Sequence, residues 1–116
     1  MAFSKASLFN QVIYHQSFWS SALAHPARII ILSHLLEFGT TPFFILHKKI
    51  PLAKTTVSQH LRKLRQAGLI SAEEKYPHTY YTINQNACKG LAEKIKSLQQ
   101  SFIQGTIYNQ PNSVIE

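Results

Sequence analysis

The stretch TTVSQHLRKLRQAGLI, Thr55 to Ile70, admits few structures. Val57, Leu61 and Leu64 recur at i, i+4 and i+7, so a helix of about 3.6 residues per turn gathers them on one side, to be buried. Gly68 follows the last helical position, where freedom to take a positive φ ends a helix, and Leu69 and Ile70 at once restart an apolar segment. Any fold containing this stretch must place a short amphipathic helix that stops abruptly. Its other side holds Thr55, Thr56, Ser58, Gln59, Arg62, Lys63 and Gln66, without one acid. Solvated helices commonly mix both signs of charge through i, i+4 pairs, and this one does not.

The asymmetry extends beyond the helix. Twelve Lys and Arg against five acids give the 116-residue chain a formal charge of +7, a balance that favours polyanions or anionic membrane surfaces. Lys48, Lys49, Lys54, Arg62, Lys63 and Arg65 all lie between His47 and Gln66 with no carboxylate among them. A membrane partner is disfavoured. The longest apolar run, IIIL followed by SHLLEF, is interrupted by His34 and Glu37 and falls short of the ~20 residues that a spanning helix needs. The opening MAFSKASLFNQVIYHQSFW has no compact apolar core with a small-residue cleavage site, so a signal peptide is not expected. The expected location is the cytoplasm. Cys88 is the single cysteine, so no intrachain disulfide is available and the fold must rest on one core. The length suits one domain and is marginal for two.

Periodicity elsewhere is mostly helical. A first helix is expected from Ser7 to Ser20, with Leu8, Phe9, Val12, Ile13 and Trp19 on a broad apolar stripe. His25 and Pro26 mark a second start, since proline is tolerated at the first helical position. The helix that follows, ARIIILSHLLEF, is apolar over most of its circumference, ends at Gly39 and is expected to be the buried centre. Thr41 followed by Pro42 reads as a third start, opening FFILHKKI as a short helix that Pro51 terminates, with Leu46 and Ile50 inward. The turn PLAK then leads into the helix near 54–67. After Ile70 the period changes: ISAEE and TYYTI flank KYPH, which reads as a two-stranded hairpin near 70–83 with its tyrosines in core and hairpin packing. A last helix, about Gln85 to Gln104, carries Cys88, Leu91, Ile95, Leu98 and Phe102 on one stripe.

Helix, turn, helix, hairpin is a winged helix-turn-helix, so the expected class is mainly α with a small β-hairpin. The two end helices offer apolar stripes with little left in the chain to cover them, and a two-fold homodimer would do so. Leu8, Val12, Trp19, Leu91, Ile95, Leu98 and Phe102 are the candidate interface; the alternative is that the two helices pack on each other within one subunit. Residues 1–105 then form the domain with its dimerisation helices, and 106–116 a polar, flexible tail.

The segments ALAHPARIIIL, TTVSQHLRKLRQAGLI and HTYYTIN resemble the ArsR-type winged helix-turn-helix repressors, small bacterial homodimers that bind operator DNA and often release it on binding a metal ion. The resemblance runs from about Trp19 to Asn84 and is most specific in VSQHLRKLRQAGLI. It implies that Lys54, Thr55, Thr56, Ser58 and Gln59 reach base edges or nearby phosphates of an operator duplex. Chemistry agrees: Gln pairs with adenine, hydroxyls adapt to base or phosphate, and Lys54 suits phosphate or guanine. Arg62 and Lys63 are better placed for the backbone, adding salt-dependent affinity. His60, at the edge of the buried stripe, is assigned to the fold.

The wing departs from the family pattern of an Arg and a Gly at the hairpin tip. Here the tip reads EEKYPHTYY, in which Glu73 and Glu74 oppose a DNA backbone while Lys75 and His78 remain as candidate contacts. Sensing departs further. The arsenic-type cysteines of the third helix are replaced by Pro42, Phe44 and His47, and the Asp and His pairs of zinc-type members have no counterpart in QNACKGLAEKIKSLQQ. The six histidines, at 15, 25, 34, 47, 60 and 78, include no i, i+4 pair. No metal site and no cofactor are expected, and no motif specifies an inducer. With five unpaired carboxylates, no glycine-rich phosphate loop and no nucleophile context, an enzyme is excluded. The alternatives are a winged-helix interaction module without specific DNA binding, or a regulator responding to metal or thiol oxidation through an atypical site such as His15 with Cys88.

Overall fold

The computed structural model describes residues 19–105. The order is α1 (Pro26–Phe38), β1 (Thr41–Pro42), α2 (Phe43–Lys48), α3 (Lys54–Gln66), β2 (Ile70–Lys75), β3 (His78–Ile83) and α4 (Gln85–Gln104). A helical segment over 19–22 precedes α1. The chain divides into two units, one running to Gln85 and one beginning at Asn86.

In the first unit, α1 begins where expected. His25 is the N-cap, its Nδ1 accepting the N–H of Ala27 at 3.0 Å, and Pro26 occupies the first helical position without losing a needed donor. The helix buries one side only, through Ala27, Ile31, Leu32, His34 and Leu35, whereas Ile29, Ile30, Leu36 and Phe38 are exposed. The expectation of this helix as the buried centre holds on the side that meets α3 and β3, where its apolar residues join the core.

Thr41 does not cap a helix. With Pro42 it forms a short strand on the outer edge of β3, Thr41 opposite Tyr81 and Pro42 opposite Tyr80, while the Thr41 hydroxyl donates to the Gly39 carbonyl at 2.8 Å. The sheet therefore has three antiparallel strands in the order β1-β3-β2, not the two of a bare hairpin. Proline can sit at such an edge because its missing N–H removes no obligatory ladder bond there. The helix α2 ends at Lys48, before Pro51, and its end tightens through Lys49 N–H to the Leu46 carbonyl and Ile50 N–H to the His47 carbonyl, each 3.1 Å. Pro51 disfavours helical geometry at Ile50, which places the stop earlier than the proline itself.

The stop after α3 is a Schellman motif. Gly68, at φ 76°, donates to the Arg65 carbonyl at 2.9 Å, and Leu69 donates back to the Leu64 carbonyl at 3.1 Å. Leu64 and Leu69 are both fully buried, supplying the apolar contact that accompanies this ending. From Ile70 the chain is already paired, Ile70 opposite Ile83 through to Lys75 opposite His78. The core joins Ile31, Leu32 and Leu35 of α1 with Leu46 and Ile50, with Val57, Leu61 and Leu64 of α3, and with Ile70 and Tyr81 of the sheet. Burying each such side chain contributes about 1.5–3 kcal/mol.

The described part of the second unit consists almost entirely of α4, which spans Gln85–Gln104, is amphipathic and has no buried residue. Leu91 is half-buried; Ile95, Leu98, Phe102 and Ile103 are exposed, Phe102 at 74%. Of the expected interface residues, Trp19 is half-buried, while Leu8 and Val12 lie outside the described residues, as does most of the expected first helix.

Candidate nucleic-acid interface

The turn between α2 and α3 is held from inside. His47 Nε2–H donates to the Leu52 carbonyl at 3.0 Å, across the turn from the end of α2, and its ring stacks on Phe43 at 5.9 Å. Leu52 N–H meanwhile donates to the Ile50 carbonyl at 2.8 Å. Sequence reasoning noted His47 only as a non-thiol at a metal position; its partner is a backbone atom and carries no pattern of its own.

The amphipathic division of α3 is as the sequence implies. Val57, His60, Leu61 and Leu64 are buried, and Lys54, Thr55, Ser58, Gln59, Arg62, Lys63, Arg65 and Gln66 are exposed, with Thr56 half-buried. The N-cap is Ala53, whose side chain offers no acceptor, so the first N–H groups of α3 are capped by no side chain. With Lys54 beside them, the polarity of this helix end suits a phosphate.

His60 belongs to the fold. Its Nδ1 accepts Arg28 Nε–H from α1 at 3.1 Å and its ring lies 4.2 Å from that of His25. Burial first, then the nearby His25 and Arg28, push its pKa below the ordinary value.

The wing and α3 meet in a cleft of about 270 Å³ lined by Phe43, Phe44, Ser58, Pro77, His78, Thr79 and Tyr81. Two residues predicted separately, Ser58 on the helix and His78 on the hairpin, are thus brought to one crevice. The His78 ring packs on Phe44 at 4.9 Å and edge-on to Tyr80 at 6.3 Å, and Lys48 Nζ lies 5.6 Å over the same Phe44 ring. Arg62 lines a separate polar groove with Arg65, Gln66 and Ser71 on the β2 side of α3.

Lys75 is partly committed elsewhere, forming an ion pair with Glu73 at 3.1 Å. Both side chains are 69% exposed, so the pair is weak and a stronger anion can compete for Lys75. Glu73 lies on the same sheet face as Lys75, and Glu74 on the other, because neighbours along a strand alternate. The tyrosines divide likewise. Tyr81 is buried and Tyr80 half-buried, as expected, but Tyr76 is 100% exposed at the hairpin tip, contrary to its assignment to packing. A tip position has no strand opposite it to pack against. Tyr76, Lys48 and Arg65 are exposed residues near the predicted contacts that sequence reasoning did not name among them; the turn signal at Pro77 and the acid-free run from His47 were the available clues.

Among the described residues no three His, Cys, Asp or Glu side chains converge as metal ligands, and no helix is long and apolar enough to cross a membrane.

Residues 25–72 match the family described as bacterial regulatory protein, arsR family. The chain is 34% identical over 67 residues to nodulation protein NolR of Rhizobium meliloti, a match covering 58% of this chain and 54% of that protein. It is 29% identical over 77 residues to the HTH-type transcriptional regulator YgaV of Escherichia coli K12, covering 66% and 78%. The crystal structure of NolR from Sinorhizobium fredii superposes with a TM-score of 0.61 at 26% identity, covering 90% of this chain and 97% of that one. The chain thus spans about half the length of the first of these relatives.

Proposed function

We propose that the chain, whose residues 25–72 match the arsR family of bacterial regulatory proteins, is a member of that family and represses transcription by binding a specific operator duplex as a homodimer. Its family and fold are those of transcriptional regulators, which are not enzymes. The observation that carries the reading is the exposed, acid-free side of α3 sharing a crevice with the wing.

In this reading α3 enters the major groove. Gln59 and the hydroxyls of Thr55, Thr56 and Ser58 meet base edges, Lys54 meets a base or phosphate, and Arg62 and Lys63 meet the backbone. Lys75 and His78 bring the wing to the adjacent backbone or minor groove. Ile95, Leu98 and Phe102 of α4, exposed as they are, together with Leu91, Trp19, Leu8 and Val12, cover one another in a two-fold dimer. The dimer sets two α3 helices about one helical turn of DNA apart, or a multiple of it.

The test is selection of duplexes from a random library followed by fluorescence-anisotropy titration of the selected and scrambled duplexes at several salt concentrations. A consensus with two related half-sites, bound in a salt-sensitive way and preferred over its scrambled version, is the expected result. Equal affinity for both duplexes at every salt concentration overturns operator recognition. Absence of binding even at low salt leaves an interaction module in its place.

A further inference from the structure

His60 points away from the exposed side of α3, yet through it the recognition helix is bonded to α1. Arg28 Nε–H donates to its Nδ1 at 3.1 Å, while Arg28 Nη1 donates to the Ser21 carbonyl, so the guanidinium is held on two sides. The His25 ring lies 4.2 Å from the His60 ring at an interplanar angle of 37°, and His25 is itself fixed as the cap of α1 by accepting the Ala27 N–H at 3.0 Å. The spacing His25-Pro26-Ala27-Arg28 therefore delivers a cap, a ring neighbour and a donor to one point on α3.

Both Nδ1 atoms are acceptors, so each neutral ring carries its proton on Nε2. A second proton on His60 would set N–H against the Arg28 N–H. The His60 imidazolium would also lie beside a permanent guanidinium and the His25 ring. Among the described residues, the charged groups bearing on His60 are His25 and Arg28, with no carboxylate beside them to compensate. Folding consequently favours neutral His60, and its pKa is lowered. The sign follows: the stabilisation is complete above the ordinary value of 6.5 and is lost as pH falls from there towards the depressed folded value, because the loosened state takes the proton first.

We propose that His25, Arg28 and His60 form a positioning brace that sets the recognition helix on α1, and that a proton delivered to His60 loosens α3 and weakens specific DNA recognition. The DNA part of the proposal rests on the function proposed above. The direction is opposite to that of a simple charge effect, since an added cation near DNA raises affinity for any sequence.

His60→Asn places an amide oxygen at the acceptor position and cannot take the proton. The first measurement is amide hydrogen exchange in the DNA-free protein at about pH 7.5 and about pH 5.5, corrected for intrinsic rates. Protection of Val57–Leu64 should fall about tenfold on acidification in the natural chain, the size of one lost hydrogen bond, and less than about twofold in His60→Asn. No fall in the natural chain, or an equal fall in both, overturns the brace whatever the protein binds. The second measurement is anisotropy on a library-selected duplex and a scrambled duplex at the same two pH values. The natural chain should lose about tenfold in affinity for the selected duplex while His60→Asn holds it. Exchange as expected without that loss overturns the link to recognition; absence of any DNA binding fails the function and leaves exchange to decide the brace. Should His60→Asn not fold, His25→Ser keeps a capping oxygen and removes the ring that helps to depress the His60 pKa, so the fall in α3 protection on acidification should shrink. An undiminished fall overturns the proposal.

Discussion

The ring of Phe44 in α2 lies 4.9 Å from the ring of His78 in β3, tilted by 44°. One partly exposed aromatic thereby ties the first helix of the helix-turn-helix to the wing, and Lys48 rests over the same ring. Phe44→Ala should cost about 1 kcal/mol of stability, as expected for losing a ring contact at a half-open site, and should weaken DNA binding roughly threefold to tenfold by freeing the wing. Thermal unfolding and anisotropy report the two effects separately. Unchanged affinity in the Ala variant would show that the wing is set by its strands alone.

Two residues on the exposed side of α3 should behave differently. Gln59→Ala should cost about 1–3 kcal/mol on the operator and little on random duplex, because a base-edge contact carries sequence information. Lys63→Ala should weaken both and flatten the salt slope by about one unit, as removal of one phosphate contact does. Equal losses on both duplexes for Gln59→Ala would contradict base reading.

Tyr76 stands fully exposed at the wing tip, where its ring gains nothing from the fold. Tyr76→Ala should leave the unfolding temperature within about 1 °C, since surface substitutions change stability by under about 0.5 kcal/mol, yet lower DNA affinity severalfold if the tip lies against the duplex. Loss of affinity restored by Tyr76→Phe would assign the contact to the ring face. An Ala variant with full affinity would place the tip in solvent in the complex.

The parts of this molecule that the sequence makes legible are those set by neighbours in the chain. The buried stripe of Val57, Leu61 and Leu64, the stop at Gly68 and the change to strand period at Ile70 are local, and all stand where expected. The strand β1 is not local: two residues, one a proline, have no periodicity, and they become a strand because Tyr80 and Tyr81 present an open edge. The same holds for His60 and Arg28, which are 32 residues apart and meet only once α1 and α3 pack. On the site, the helix face could be read directly, whereas the crevice joining Ser58 to His78 needed the fold.

Gly68→Ala tests the hand-over from helix to wing. Its φ of 76° is unfavourable for a residue with a Cβ, although nothing stands within 4 Å of where that Cβ would be. The cost should be conformational alone, about 1 kcal/mol, with Gly68→Asn costing less because Asn tolerates this region. Chemical denaturation should show a lower midpoint with an unchanged slope. A much larger loss would mean that the turn also sets the pairing of Ile70 with Ile83.

Cys88 bears on whether the regulator answers to oxidants. Burial pushes its thiol pKa above the ordinary value, which lowers the thiolate fraction near neutral pH and with it the nucleophilicity of the sulfur. Alkylation by iodoacetamide at about pH 7.5 should run severalfold slower than in the denatured chain, and Cys88→Ser should bind DNA as the natural protein does. Peroxide should then release neither protein from DNA, because sulfenic acid formation also begins from the thiolate. Fast alkylation in the native state, with peroxide release that disappears in Cys88→Ser, would instead make this cysteine the sensor and reverse the argument from burial.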